Sequence, residues 1–522
     1  MRRALSHPDL IPVAVAFAAG ALLAGIDLGT RSIWLDEGST IAIVSQHGAA
    51  LWRAMAHDGG NMLLYYLGMH VLVAWFGEAT WLLRLPSALA TALTGGLVAA
   101  LALRLFPGNR RLAAAAGLLV VVSLPLVYWG QNARGYAWMV TLATGSFLGL
   151  LAILQTPGDR APSRRAISAY ALTTLASLYV GYDAALLIPA QLALLLLAHR
   201  ERARLVLGCL ALDALLSLPL LVLAAQRGSG QLFWVTPLSW RLSGQATLAL
   251  LSVALLPNFH RTATTVPATV LMGIALFGAI ALAGRAARGR GSDGGAAGPL
   301  RFVLAWALVP TALTLLAYRL GEPIELVRVT ILELPPVALL IAWVCLRREA
   351  RPALGVAAII VLLGLRAAQL IPAYGVSSEP WNAATAYVLQ STSASRPACV
   401  VFYAQDGREA VDYYLQRTAH PVGSDPAPAL RPVLPAVPWT TVRPFVERYA
   451  SLDPGQRARI VHDCPRLWLI GSHTGQRKGT HRSLVNQRRY ERLEAALRRR
   501  YPHTTLRTFG WAAPIHVREL FR

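Results

Sequence analysis

Ile33-Trp34-Leu35-Asp36-Glu37-Gly38 follows directly on the first long apolar run of the chain, residues 10–28. A run of that length is long enough to cross a bilayer, and two adjacent carboxylates just past it mark a point where the chain has left the hydrocarbon. Of the 522 residues, 55% are hydrophobic and only 14% charged, and mean hydropathy is +0.47. Soluble chains are about one-quarter charged. Apolar runs of about 18–20 residues recur along the sequence, so the chain reads as a polytopic membrane protein. Met1-Arg2-Arg3 opens like a secretion signal. No small-residue cleavage pattern is clear near Asp27–Arg31, so the first run is read as an uncleaved span.

Eleven spans are predicted, at 10–28, 84–105, 112–129, 136–154, 167–180, 184–199, 205–224, 265–284, 301–318, 330–346 and 353–371. With the N-terminus inside, the inner segments and their borders carry eighteen arginines and the outer loops before the tail carry nine. That asymmetry is the positive-inside pattern. Residues 62–76 are apolar but too short to span. Counting them would flip every later loop and place Arg110, Arg111, Arg200 and Arg202 outside, so they are read as an interfacial helix. The 244–256 run is read in the same way. An odd number of spans leaves the last 150 residues outside. The expected fold is therefore a polytopic α-helical membrane domain, 1–371, whose first extracytoplasmic loop is 28–83, followed by a small extracytoplasmic α/β domain, 372–522. In that tail, strand-like 399–403, helical 407–418, a Pro-rich linker 420–438, strand 467–470, a charged helix 484–500 and strands near 504–509 and 515–520 alternate as in an α/β unit.

The formal charge is +23, almost all of it arginine, with Lys478 the sole lysine. Its placement in inner loops points to membrane lipid and a phosphorylated substrate and away from nucleic acid. Four cysteines fit no zinc spacing. Cys209 and Cys345 read as packing residues, while Cys399 and Cys464 flank tail strands and become a disulfide candidate outside the membrane.

Asp36 and Glu37 sit in a first loop of about 55 residues, longer than a connector needs, and long loops are commonly functional. The same loop holds His57-Asp58-Gly59-Gly60-Asn61 ahead of Tyr65 and Tyr66. A carboxylate at such a place suits a general base taking a proton from an acceptor hydroxyl. Arg84, Arg134 and Arg328 are expected on the same outer face, where arginine's planar fork suits a phosphate. Tyr136, beside Arg134, and Asp183, at the turn Val180-Gly181-Tyr182-Asp183, complete the expected set. The lone histidines His47, His70, His260, His462 and His473 are read as structural. No Gly-rich phosphate loop and no Asp-x-Asp nucleotide-metal motif occurs. No metal site is assigned and no cofactor is identified, and a divalent cation at Asp36, Glu37 or His57 stays open.

Trp34-Leu35-Asp36-Glu37, Leu64-Tyr65-Tyr66-Leu67, Phe76-Gly77-Glu78 and Leu83-Arg84-Leu85-Pro86-Ser87-Ala88 resemble the opening of bacterial family 39-type glycosyltransferases. These belong to the C superfamily, with the protein O-mannosyltransferases and the aminoarabinose transferase of lipid A. Gln131-Asn132-Ala133-Arg134-Gly135-Tyr136 is similar to the family's Gln-Glu-Ala-Arg-Pro-Tyr turn, and Arg328 through Leu334-Pro335-Pro336 to its Arg-Tyr…Leu-Pro element. Glu379-Pro380-Trp381-Asn382-Ala383-Ala384 resembles the start of its extracytoplasmic part. The sequence departs from the pattern at Gly60-Asn61-Met62, Asn132 and Val329, which bears on substrate identity more than on reaction type.

The resemblance implies a polyprenyl-phosphate sugar donor, a cell-envelope acceptor (glycan, lipid or protein), transfer with inversion, Asp36 as base, and Arg84, Arg134 and Arg328 at the phosphate. It also implies an address in the inner membrane with the site on the outer face. Two other readings compete. A flippase of lipid-linked sugars would place ionisable groups mid-membrane and repeat its halves, whereas here Asp213 and Arg366 are the exceptions in nearly charge-free spans. A non-catalytic scaffold would have no use for the long acidic loop.

Overall fold

The computed structural model describes residues 7–157, 159–196, 200–227, 239–240, 243–244, 247, 262–287, 297–320, 330–347, 351–392, 397–418, 430–437, 451–475, 481–510 and 514–522. Arg328 and nearly all of the 244–256 run lie outside these residues.

Helix α1 (His7–Gly25) is followed by three helices of the first loop, α2 (Leu35–Val44), α3 (Gly48–His57) and α4 (Leu63–Phe76). The bundle continues with α5 (Thr80–Leu105), α6 (Arg110–Val121), α7 (Leu124–Gly130), α8 (Tyr136–Leu154), α9 (Arg164–Val180) and α10 (Leu187–Leu195). It is completed by α11 (Arg200–Leu216), α12 (Leu218–Arg227), α13 (Thr262–Ala287), α14 (Ala297–Arg319), α15 (Leu334–Leu346) and α16 (Pro352–Tyr374). Five of these helices (α1, α5, α8, α14 and α16) are long and apolar enough to cross a membrane, and bent pairs bring the number to seven. The pairs are α6 with α7, broken by 61°, and α11 with α12, broken by 47°. Each break falls just before a proline, Pro125 or Pro219, whose ring and missing N–H stop the preceding helix. The predicted spans 112–129 and 205–224 are thus each two helices at an angle. Helix α4 is only 14 residues long and leaves Val71, Trp75 and Phe76 exposed. At about 1.5 Å per residue it falls well short of a bilayer.

Where α1 meets α5, a Cβ on Gly95 would lie 2.8 Å from the Ala16 carbonyl oxygen. Small residues let these helices approach backbone to backbone, which is how helices associate without a hydrophobic drive between them. The ends of α1, α7, α9, α12 and α16 and the starts of α5 and α8 all reach one polar cluster, described below. That convergence fits a chain crossing back and forth with α4 lying aside.

The tail contains α17 (Trp381–Gln390), β1 (Ala398–Phe402), α18 (Gly407–Thr418), β2 (Leu430–Leu434), α19 (Pro454–Asp463), β3 (Arg466–Gly471), α20 (His481–Arg498), β4 (His503–Phe509) and β5 (Ile515–Phe521). The sheet order is β2-β1-β3-β5-β4, with β1 parallel to both β2 and β3, and β5 antiparallel to β3 and β4. The segment read as a Pro-rich linker contains β2. Its Pro432 is tolerated because β2 is an edge strand and can lack one ladder donor. Trp468 and Ile470 pack on one sheet face with Trp381, Ala410 and Leu35 of α2, while Leu467 and Leu469 pack on the other with Cys464, Leu493 and Leu497. The tail core therefore includes a residue of the first loop. Cys399 and Cys464 form a disulfide that ties β1 to the end of α19.

Candidate active site

Helix α2 starts at the acidic pair, with Trp34 at its N-cap and Glu37 at its third position. Glu37 does not face outward. Its Oε1 accepts from Arg84 Nε at 2.8 Å and its Oε2 from Nη2 at 2.7 Å, with both side chains almost wholly buried. Arg84 also donates to the carbonyls of Leu28 (3.1 Å), Arg31 (3.0 Å) and Ser32 (3.0 Å). Glu37 Oε1 further accepts from the Ala133 amide at 2.7 Å. All five guanidinium N–H groups are thereby used. The expected catalytic acid and the expected phosphate contact are bound to each other, because a charge at either place is buried and needs the other. They hold the first loop, the start of α5 and the α7–α8 turn as one unit. Trp34, at the N-cap of α2, packs against Trp129 with ring centroids 6.2 Å apart.

Asp36, one residue earlier, points elsewhere and stays 24% exposed. Its Oδ2 is 3.8 Å from Arg134 Nη2. Arg134 comes from the turn between α7 and α8 and donates from Nη1 to the Tyr66 hydroxyl (3.1 Å) and to Thr40 Oγ1 (3.3 Å). Its buried Nε has no hydrogen-bond partner. Burial alone would lower the Arg134 pKa, but Tyr66 and Asp36 outweigh it and keep the guanidinium firmly charged. Tyr66 in turn donates to Asp58 Oδ2 at 2.9 Å, and Asp58 Oδ1 accepts from Arg227 Nη1 at 2.6 Å. The result is a connected run, Asp36, Arg134, Tyr66, Asp58, Arg227, across one end of the bundle.

The other expected residues lie around this run. Tyr65 shares a hydrogen bond with Ser87 (3.3 Å), which donates to the Arg134 carbonyl at 3.0 Å. Tyr136 packs against Trp129 with centroids 4.3 Å apart and the rings tilted by 52°, and lies under Arg134. His57 closes α3, and Asn61 donates its amide to the Asp58 carbonyl at 3.3 Å. Asp183 is half-buried in the turn Tyr182–Leu186, whose Tyr182 donates to the Gly59 carbonyl. Among the described residues no group of three His, Cys, Asp or Glu side chains is gathered as metal ligands.

The tail supplies residues that the sequence reading did not assign. The Ser32 amide donates to Ser377 Oγ at 2.9 Å, the Ile33 amide to the Tyr414 hydroxyl at 2.7 Å, and the Leu35 amide to Glu379 Oε2 at 3.1 Å. Glu379 Oε2 also accepts from Trp381 Nε1 at 2.8 Å, and its Oε1 lies 3.5 Å from His473 Nε2. Burial raises the Glu379 pKa, His473 opposes the shift and Asp36 adds to it. Asp406 is pushed up to about 6 by burial, with Asp36 and Glu379 adding and His473 opposing. Four titratable groups from two parts of the chain therefore share one electrostatic environment. Glu379 sat inside a quoted motif, but Asp406 and the histidine read as structural carried no sequence signal except their places just past strands.

No protein-family model and no curated protein sequence matches the chain. Solved structures do. ArnT from Cupriavidus metallidurans bound to undecaprenyl phosphate superposes with a TM-score of 0.57 at 14% identity, over 97% of this chain and 97% of that one. The same protein in the apo state gives 0.54 at 15% identity, over 96% and 97%. The Archaeoglobus fulgidus oligosaccharyltransferase in complex with Zn and sulfate gives 0.52 at 12% identity, over 88% of this chain and 68% of that one. The chain shares the fold of these solved structures over most of its length.

Proposed function

We propose that the protein is an integral-membrane glycosyltransferase that moves a sugar from a polyprenyl-phosphate donor to a hydroxyl of a cell-envelope acceptor, working at the outer face of the inner membrane. The observation that carries this reading is the Asp36–Arg134 pair, a partly exposed carboxylate 3.8 Å from a charged guanidinium with an unused Nε. In the proposed step the acceptor oxygen attacks the anomeric carbon with inversion, and Asp36 takes the hydroxyl proton. The bond from the anomeric carbon to the phosphate oxygen breaks, and its electron pair leaves with the polyprenyl phosphate. Arg134 meets the charge that grows on the departing phosphate, a preorganised contribution of about 3–4 kcal/mol for a donor of this kind. Glu37 and Arg84 position the loop and take no part in the transfer. The likeness to ArnT bound to undecaprenyl phosphate supports a lipid-linked donor.

The test is release of polyprenyl phosphate from a panel of polyprenyl-phosphate sugars by the purified full chain. Asp36→Asn is expected to lose at least about a hundredfold in rate, the contribution typical of a general base, while inserting and folding normally. Full turnover by that variant removes Asp36 from the base role. Export of intact lipid-linked sugar without release would favour a flippase instead.

A further inference from the structure

In the tail sheet the chain leaves β1 toward β2 on one side and then crosses back to β3 on the other. The point between β1 and β3 is a topological switch. In open parallel sheets the connections diverge there and leave a crevice at the carboxyl ends of the strands, where ligands bind. Asp406 lies just past the end of β1, and Ser472 and His473 just past the end of β3. Glu379 lies 3.5 Å from His473, and through the Leu35 amide it contacts the first turn of α2, which carries Asp36. Ser472 is 1% exposed, and its hydroxyl has no hydrogen-bond partner. By the two-residue period of a strand it falls on the same face as Trp468 and Ile470, the face that packs against Leu35 and Trp381 beside Glu379.

We propose that this switch point, where the tail meets the start of α2, is the acceptor subsite, and that it takes an uncharged, hydroxyl-bearing sugar end held by Glu379, Asp406, His473 and Ser472 so that one hydroxyl reaches Asp36. This rests on the transferase reading above. The chemistry selects the ligand class. Ionised carboxylates only accept hydrogen bonds, whereas Ser472 has an unused hydroxyl and His473 offers a ring N–H. A sugar hydroxyl both donates and accepts, so a vicinal diol satisfies both kinds of group. A phosphate or uronate would set a negative charge against Asp36, Glu379 and Asp406 at once. An ammonium group would suit the carboxylates, but it has no lone pair for Ser472 to donate to and leaves that buried hydroxyl without a partner.

The experiment uses the detergent-solubilised full chain and saturation-transfer NMR with three probes: methyl glucoside, methyl glucuronide and methyl glucosaminide. The glucoside is expected to bind at least about tenfold more tightly than the glucuronide, since a hydrogen bond to a charged group is worth roughly that much or more. Asp406→Asn is expected to weaken glucoside binding by about tenfold and to admit the glucuronide, and Ser472→Ala to weaken it by several-fold. Thermal midpoints are recorded for every variant, and Ser472→Ala serves if Asp406→Asn fails to fold. Equal binding of glucoside and glucuronide, tighter binding of the glucosaminide than of the glucoside, no binding by any probe, or binding indifferent to both substitutions overturns the subsite. Loss of donor turnover in Asp36→Asn together with any of those results leaves the transferase reading standing and removes the acceptor site alone.

Discussion

Glu37 and Arg84 lie face to face, with two hydrogen bonds of 2.8 and 2.7 Å between them and neither side chain more than 2% exposed. Asp36 next door keeps about a quarter of its side chain in contact with solvent. Successive helical residues point about 100° apart, so one acid of the pair turns into the junction of the first loop, α5 and the α7–α8 turn, and the other turns to the open side. Two carboxylates that look equivalent in sequence thus meet opposite surroundings.

Removing one partner of the buried pair leaves an uncompensated charge. Glu37→Gln or Arg84→Met is expected to lose about 3–5 kcal/mol of stability, seen as a collapse in thermal midpoint and in membrane yield. Replacing both together, Glu37→Leu with Arg84→Met, should recover much of that loss. Asp36→Asn should cost no more than about 1 kcal/mol, because Asp36 stays partly exposed. Single variants as stable as wild type would contradict the holding role.

Arg134→Lys keeps a charge but loses the planar fork. The expected result is donor binding weaker by about ten- to a hundredfold, the worth of one or two charge-assisted hydrogen bonds, with the thermal midpoint little changed. Titrating donor against initial rate separates KM from kcat. An unchanged donor dependence would show that the phosphate is met elsewhere.

The bundle was legible because membrane length and arginine placement leave few topologies open, and residues 62–76 were resolved by charge alternation. The breaks at Ser123 and Ser217 leave the apolar runs uninterrupted in composition, and only Pro125 and Pro219 mark them. Asp36 and Arg134 could be read as a pair because each follows a span end on the same face. The Glu37–Arg84 bond could not, since sequence gives proximity to a membrane edge but not the direction a side chain points. Glu379, Asp406, His473 and Tyr414 were out of reach for a different reason. Their place beside the first loop depends on how a sheet domain docks on a segment more than 300 residues earlier, and no local pattern encodes that.

The docking itself can be tested. A Cβ on Gly38 would stand 2.9 Å from the Ala410 amide nitrogen, so α2 and α18 touch backbone to backbone. Gly38→Ala should push them apart, and Tyr414→Phe should leave the Ile33 amide without its acceptor at a loss of about 1–3 kcal/mol. Both are expected to raise amide hydrogen exchange across 32–38 and to lower turnover without weakening donor binding. Exchange as slow as in wild type would mean that the tail does not hold the base in place.

The Cys399–Cys464 disulfide closes a stretch of 65 residues that contains α18, β2 and α19. On the chain-entropy account a loop of that size is worth about 4 kcal/mol. The double variant Cys399→Ala, Cys464→Ala should therefore lower the unfolding midpoint of the tail and open it to protease at temperatures where the bundle stays intact. A tail equally resistant with and without the bond would show that the sheet core suffices.

Asp406 gives a pH signature with a definite sign. Its pKa rises from an ordinary 3.8 to about 6, chiefly through burial, with Asp36 and Glu379 adding and His473 opposing. Between those two values the folded chain holds a proton that the unfolded chain has released. Stability therefore falls as pH rises from about 4 to 6 and stays lower above that range. Glu379, also raised, contributes in the same direction. Asp406→Asn removes its share of the penalty, so the variant should be more stable than wild type at pH 7.5, by about 1–3 kcal/mol, and no more stable at pH 4. The same substitution is expected to weaken sugar binding, the exchange of stability for function that an acid kept in a crevice for a ligand should show. A stability gain of equal size at both pH values would mean that burial of the side chain, and not its charge, is what the fold works against.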